Sequence, residues 1–164
     1  IAKKQRITET WSFDTNSEAM LSMLGHRIVK QVETSSKTAL FPVNPSPDIY
    51  LIVRVEKTLR GVELDSSIDP YAKGQLKQKE MAKLAKDVAQ SVVRLGDFVQ
   101  PLAWGAIQLF NEQGHLLVGD LTQMKLVRSK ADETDAQILE TLRKRHGKEK
   151  KITAMPCDFV FNFK

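Results

Sequence analysis

The stretch "RLGDFVQPLAWGAIQLF", residues 94 to 110, places a tryptophan between small residues in an aliphatic run that follows a proline. Pro101 stands where a strand can begin, because proline has no N–H to give to a strand ladder. Gly105 leaves room for a bulge or for a close neighbour. The aliphatic surroundings favour burial of Trp104 over ligand binding, provided that its indole N–H finds an acceptor. The stretch therefore predicts a core strand with a structural tryptophan.

Three other segments show the alternation of strands. "ITETWSF" at 7 to 13 has the pattern of a half-buried strand. "IYLIVRVEKTL" at 49 to 59 is apolar on both of its faces, which predicts a central strand of a sheet. "ITAMPCDFVFNF" at 152 to 163 carries alternating phenylalanines, which predict a strand with an aromatic face.

Three segments have helical signals. "TNSEAMLSML" at 15 to 24 offers an N-cap and ends before Gly25, and residues 75 to 95 repeat apolar side chains at three- and four-residue spacing. "ADETDAQILETLRKRHG" at 131 to 147 has acids in its first turn and bases in its last turn, as the helix dipole favours. The polar face of the second segment is basic, a feature that usually marks a solvated face. Its cations are Lys77, Lys79, Lys83, Lys86 and Arg94, against Glu80 and Asp87.

The composition gives little support to catalysis. The 164 residues are enough for one domain, and we expect a single domain over 1–164. Cys157 is the single cysteine, and the three histidines have no partner at metal-ligand spacing. Because the glycines are scattered singly, no phosphate-binding glycine loop is present. We therefore predict no catalytic, cofactor-binding or metal-binding residues and no enzyme activity in this segment.

The net charge of +5 is concentrated in the segment "RKRHGKEKK" near the C-terminus. Such a patch suits an acidic lipid surface or an acidic protein face, while a merely solvated helix end is the alternative. We expect no nucleic-acid partner, because stacking aromatic residues are not interleaved with the bases. The patch residues are Arg143, Lys144, Arg145, Lys148, Lys150 and Lys151.

Three segments, taken in order, resemble one protein family. They are "ITETWSFDTNSEAM" at 7 to 20, "PSPDIYLIVRVEKTLRG" at 45 to 61 followed by "DPY", and the stretch at 94 to 110. They are similar to the region upstream of, or bordering, the lipid-binding homology domain in dedicator of cytokinesis (DOCK) exchange factors, with the zizimin-like branch most similar. The family pattern runs approximately "KISENFHFDLNS", "PSPDIFLVVKIEKVLQG" and "RLGKYRMPFAWA". Trp11 and Thr15 depart from the usual Phe and Leu.

The resemblance implies a cytoplasmic, multidomain guanine-nucleotide exchange factor for Rho-family GTPases, acting in small-GTPase signalling to the cytoskeleton. In that family the exchange activity belongs to a C-terminal homology region, and phosphoinositide binding belongs to a separate sandwich domain. No functional residue of either region matches a position here. The Rho-family GTPase is thus expected to bind other regions of the parent, which is also a candidate homodimer.

We therefore expect a mainly β fold, an antiparallel Greek-key-type β-sandwich with two or three accessory helices. Because the chain begins with Ile1 and a strand-like pattern follows closely, we interpret it as a piece excised from a larger multidomain protein. The expected function is a scaffolding and interaction module without a cofactor. The alternative is a peripheral membrane module that binds acidic phosphoinositides through the basic patch and is recruited from the cytoplasm to the membrane.

Overall fold

A computed structural model describes residues 6–13, 15, 38–74, 76–96, 98–146 and 154–163. Within these ranges four strands form one antiparallel sheet in the order β1-β2-β3-β4. Two helices follow β1 and one follows β3. The elements are β1 (Tyr50–Thr58), α1 (Leu64–Ala72), α2 (Gln78–Leu95), β2 (Val99–Gln108), β3 (Thr122–Arg128), α3 (Asp135–His146) and β4 (Ala154–Phe161).

The predicted core strand is β2, which pairs with β1 on one side and with β3 on the other. Its register against β1 shifts between Val55 and Glu56, because Val55 pairs with Ala103 whereas Glu56 pairs with Pro101. The bulge therefore lies beside the proline, where a ladder hydrogen bond is missing in any case. Gly105 has the close neighbour that the sequence allowed for, since the Met124 sulfur fills the space that a Cβ would need.

A different helix packs on each face of the sheet. On one face Trp104 is 2% exposed and forms a buried cluster with Val127 of β3 and three residues of α3. On the other face Ile68 of α1 is 0% exposed and packs against Ala103, Leu126 and Met155. The predicted burial of Trp104 is therefore confirmed. The α3 residues are Ile138, Leu139 and Leu142.

Helix α1 was not predicted, because Pro70 lies inside it. A proline within a helix removes one backbone hydrogen bond and disfavours the helix. Tertiary contacts stabilise α1 instead: the Arg128 guanidinium of β3 lies 2.7 Å from an Asp69 oxygen and 2.9 Å from an Asp65 oxygen. Gln100 also donates a hydrogen bond to the buried Ser67 hydroxyl.

The antiparallel sheet and the three accessory helices are confirmed, but the described residues form a small mixed α/β arrangement and not the mainly β fold that we expected. The described residues form one meander sheet with a helix on each face, and they do not show the Greek-key sandwich that we expected. That arrangement and the single domain over 1–164 stay predictions.

Two strand predictions need correction. The segment 49–59 forms β1, but β1 lies at an edge of the described sheet and not at its centre. Apolar residues on both faces of a strand show that other elements pack on both faces of the sheet. They do not show whether a strand pairs on one side or on both. Residues 7–13 lie outside the strands of the described sheet, although the Phe13 ring lies 6.3 Å from the Phe159 ring in β4. The helix predicted from residue 15 to 24 lies almost wholly outside the described residues.

Candidate interaction surfaces

The basic patch predicted near the C-terminus falls only partly within the described chain. Arg143, Lys144 and Arg145 lie in the last turns of α3, and their side chains are outside the described residues. Lys148, Lys150 and Lys151 are themselves outside the described residues. The patch, and the acidic lipid or protein that it would bind, therefore stay predictions.

A second basic surface lies on the outward side of α2. Four cations of this helix are exposed, and their spacing of four, three and eight residues places them along one stripe. We name this stripe the basic ridge. It consists of Lys79, Lys83, Lys86 and Arg94.

Both acids of α2 are engaged in fixing the helix. A Glu80 carboxylate oxygen accepts a hydrogen bond of 3.0 Å from the backbone N–H of Lys77, which caps the start of the helix. A carboxylate oxygen of Asp87 lies 3.8 Å from the guanidinium of Arg60, beyond the end of β1. Within the described ranges, no ion pair joins a cation of the basic ridge to an acid.

The start of α3 is held against β1 by a charged cluster around Asp135. Arg54 of β1 lies 2.7 Å from one Asp135 carboxylate oxygen, and Arg6 lies 3.0 Å from the other. Burial raises the pKa of Asp135, but the hydrogen bonds from Arg54 and Arg6 outweigh burial and hold the pKa below its usual value. Arg54 also donates to the carbonyl oxygen of Glu133. This cluster orders the turn before the helix, and its carboxylate is already occupied by two cations.

Lys57 and Tyr71 form a half-buried contact between β1 and α1. The Lys57 ammonium lies 5.2 Å from the centre of the Tyr71 ring. Burial, together with the nearby charge of Arg60, lowers the pKa of Lys57 from 10.5 to about 8. Burial raises the pKa of Tyr71, although Arg60 opposes that shift. The contact thus includes a lysine that loses its proton under mildly alkaline conditions.

We expect Lys57 to make the unfolding free energy rise between about pH 8 and pH 10. In that window the unfolded chain still holds the lysine proton that the folded chain has released, so rising pH favours the folded state. Chemical denaturation across this range should show that Lys57→Met removes part of the rise, while Lys125→Met, at an exposed position, leaves it unchanged. Equal slopes for the two variants would contradict the lowered pKa.

The described part of the chain contains no candidate metal centre. Its His, Cys, Asp and Glu side chains do not come together in any group of three that could hold a metal ion. None of its helices is both long and apolar enough to cross a membrane.

The sequence did not predict two elements that carry charged contacts of the fold, α1 and β3. The alternation of Met124 and Leu126 with Gln123 and Lys125 is the signal that could have revealed β3. For α1, the spacing of Leu64 and Ile68 gives a weaker helical signal that Pro70 obscures. Together these elements supply Arg128 and its two acidic partners.

Comparison with known proteins relates the chain to one group. It is 32% identical over 118 residues to dedicator of cytokinesis protein 6 from Mus musculus, an alignment that covers 68% of this chain. It is 31% identical over 118 residues to protein 7 from Homo sapiens and 38% identical over 77 residues to protein 9 from Homo sapiens, covering 68% and 46% of this chain. The chain is homologous to the dedicator of cytokinesis proteins.

The homology confirms the predicted resemblance at the level of the dedicator of cytokinesis family. The alignments cover only 6% of the length of proteins 6 and 7 and 4% of protein 9. No family model matches the chain, and no solved structure matches it. The zizimin-like branch and the position beside the lipid-binding homology domain stay predictions.

Proposed function

We propose that this chain is a scaffolding and interaction module of a cytoplasmic, dedicator of cytokinesis-type exchange factor for Rho-family GTPases. The observation that carries the proposal is the homology over 68% of the chain, which corresponds to 6% of such a relative. A segment of that size accounts for one module of a long protein. We place the nucleotide exchange activity and the GTPase contact in other regions of the parent.

The described residues support a binding role in preference to a catalytic one. The acids with short ion pairs, Asp65, Asp69 and Asp135, join helices to strands and hold the fold together. The exposed cations of the basic ridge have no such role among the described contacts. In this module the three acids join helices to strands, and the cations of the basic ridge are left exposed for a partner.

Deleting the module from the longer protein tests the proposal. We expect the purified protein without the module to release GDP from a Rho-family GTPase within about twofold of the intact rate, because the exchange residues lie elsewhere. In cells, the same deletion should lower activation of the GTPase, since the module no longer makes its contacts. Loss of GDP release from a deletion protein that is otherwise folded would contradict our placement of the activity. Unchanged activation in cells would contradict the scaffolding role.

A further inference from the structure

The basic ridge runs along the outward side of α2. With 1.5 Å of rise per residue, the basic ridge extends for about 22 Å from Lys79 to Arg94. At 3.6 residues per turn its four cations lie within an arc of about 80° around the helix axis. All four residues are exposed, and Gln90 occupies the remaining position of the same stripe. The ridge can therefore meet one elongated partner along its whole length.

Within the described residues, no acid is ion-paired with a cation of the ridge. Glu80 is bound to the backbone at the start of the helix, and Asp87 faces Arg60 on the side of β1. Among the described residues neither acid pairs with a ridge cation. An acidic partner would thus form ion pairs with the ridge without displacing any acid of the described residues.

Apolar side chains run beside the ridge at helical spacing. Ala82, Ala89 and Val93 follow one another at seven and four residues, and Val93 is 68% exposed. Helix pairs commonly combine such an apolar seam with charged residues along its border. A helix that binds an anionic membrane beside its cations typically inserts bulky residues such as Trp, Phe or Leu, whereas this seam consists of alanine and valine. The combination favours a second helix over a lipid surface.

We propose that the outward face of α2 docks an acidic α-helix, with the apolar seam at the centre of the contact and the basic ridge along its border. A second copy of this chain is a poor partner, because a two-fold pairing of α2 would set one basic ridge against the other. The proposal rests on the interaction role inferred above and adds the chemistry of the partner. The partner helix carries glutamate or aspartate at positions that match the ridge.

A synthetic helical peptide provides a direct probe. It is about 20 residues long, with an alanine and leucine seam bordered by glutamates at the ridge spacing, and a matched peptide carries glutamine at each glutamate position. The full 164-residue chain is titrated against each labelled peptide, with fluorescence anisotropy as the readout. We expect the glutamate peptide to bind at least tenfold more tightly than the glutamine peptide at low ionic strength, and more weakly as salt screens the pairs.

Charge reversal on the chain distinguishes binding by the ridge from attraction by the overall positive charge of the chain. The triple variant Lys83→Glu, Lys86→Glu, Arg94→Glu should lose about tenfold in affinity for the glutamate peptide. A control triple variant changes exposed lysines outside α2, Lys73→Glu, Lys125→Glu and Lys130→Glu, and should keep its affinity within about twofold. A peptide with lysine in place of glutamate should bind the ridge variant better than it binds the unaltered chain.

Three results would overturn the proposal. The first is an equal loss of affinity for the glutamate peptide in the two triple variants, and the second is equal binding of the glutamate and glutamine peptides. The third is that the chain binds neither peptide but sediments with phosphatidylserine vesicles in a way that depends on the ridge. Circular dichroism of each variant shows that it remains folded. These assays contain no GTPase, so a failure here leaves the proposed role in an exchange factor to its own test.

Discussion

Replacing Trp104 with alanine is expected to lower the free energy of unfolding by about 3 to 5 kcal/mol. The indole is 2% exposed and fills the space between β2, β3 and α3. Its removal loses apolar burial and leaves a cavity that the neighbouring strands cannot close completely. Urea denaturation of the two proteins, followed by far-ultraviolet circular dichroism, measures the difference.

Two control variants sharpen this result. The Trp104 ring nitrogen is buried and has no hydrogen-bond partner among the described residues, so the acceptor that the sequence analysis required is not found there. Trp104→Phe should therefore cost less than the alanine variant, because it keeps a ring and removes an unsatisfied donor. Trp11→Ala, at a residue that is 43% exposed, should cost below about 1 kcal/mol. A loss below about 1 kcal/mol for Trp104→Ala, together with loss of a partner's binding, would contradict the structural role of the tryptophan.

Ile68→Ala is expected to destabilise the protein by about 2 to 5 kcal/mol. Ile68 is 0% exposed, and it is the buried apolar anchor that holds α1 against Ala103, Leu126 and Met155. Because α1 contains a proline, it depends on such tertiary contacts more than an ordinary helix does. The same denaturation experiment measures the effect.

The Ile68 prediction has a graded and an exposed control. Ile68→Val removes one methylene and should cost about 0.5 to 1.5 kcal/mol. Leu40→Ala, at a side chain that is 96% exposed, should stay within about 0.5 kcal/mol of the unaltered protein. If Ile68→Ala were as mild as Leu40→Ala, the packing of α1 on the sheet would be wrong.

The sequence predicted those elements whose periodicity agrees with their environment. The strong amphipathic spacing of residues 75 to 95 and the capping signals of residues 131 to 147 gave α2 and α3 nearly to their ends. β2 was found from its apolar run, although it begins at Val99 and not at Pro101 as predicted. β4 was found from its alternating phenylalanines, whose rings do contact one another. In these segments local preference and tertiary packing favour the same structure.

The missed features depend on partners distant in sequence. Pro70 argues locally against α1, whereas the ion pairs of Arg128 with Asp65 and Asp69 span about 60 residues and favour it. The position of β1 at an edge was likewise hidden, because apolar residues on both faces resemble the pattern of a central strand.

The candidate surfaces could be recognised in the sequence as charge patterns, but the sequence did not show whether their cations pair with the acids of the same helix. The sequence showed that α2 is basic on one face and contains two acids in the same helix. Only the structure shows that Glu80 caps the helix and that Asp87 faces Arg60, which leaves the basic ridge without these acids as partners. The homology could be predicted from the sequence, since the segments at 45–61 and 94–110 already resembled the dedicator of cytokinesis proteins.

We propose that this chain is an interaction module and that its parent's exchange activity lies elsewhere. The most direct measurement is the release of fluorescent GDP from Rho-family GTPases mixed with the 164-residue chain at increasing concentration. We predict that the release rate stays at the intrinsic rate of each GTPase, while the longer parent protein accelerates release under the same conditions. Acceleration by the 164-residue chain itself, rising with its concentration, would contradict the account.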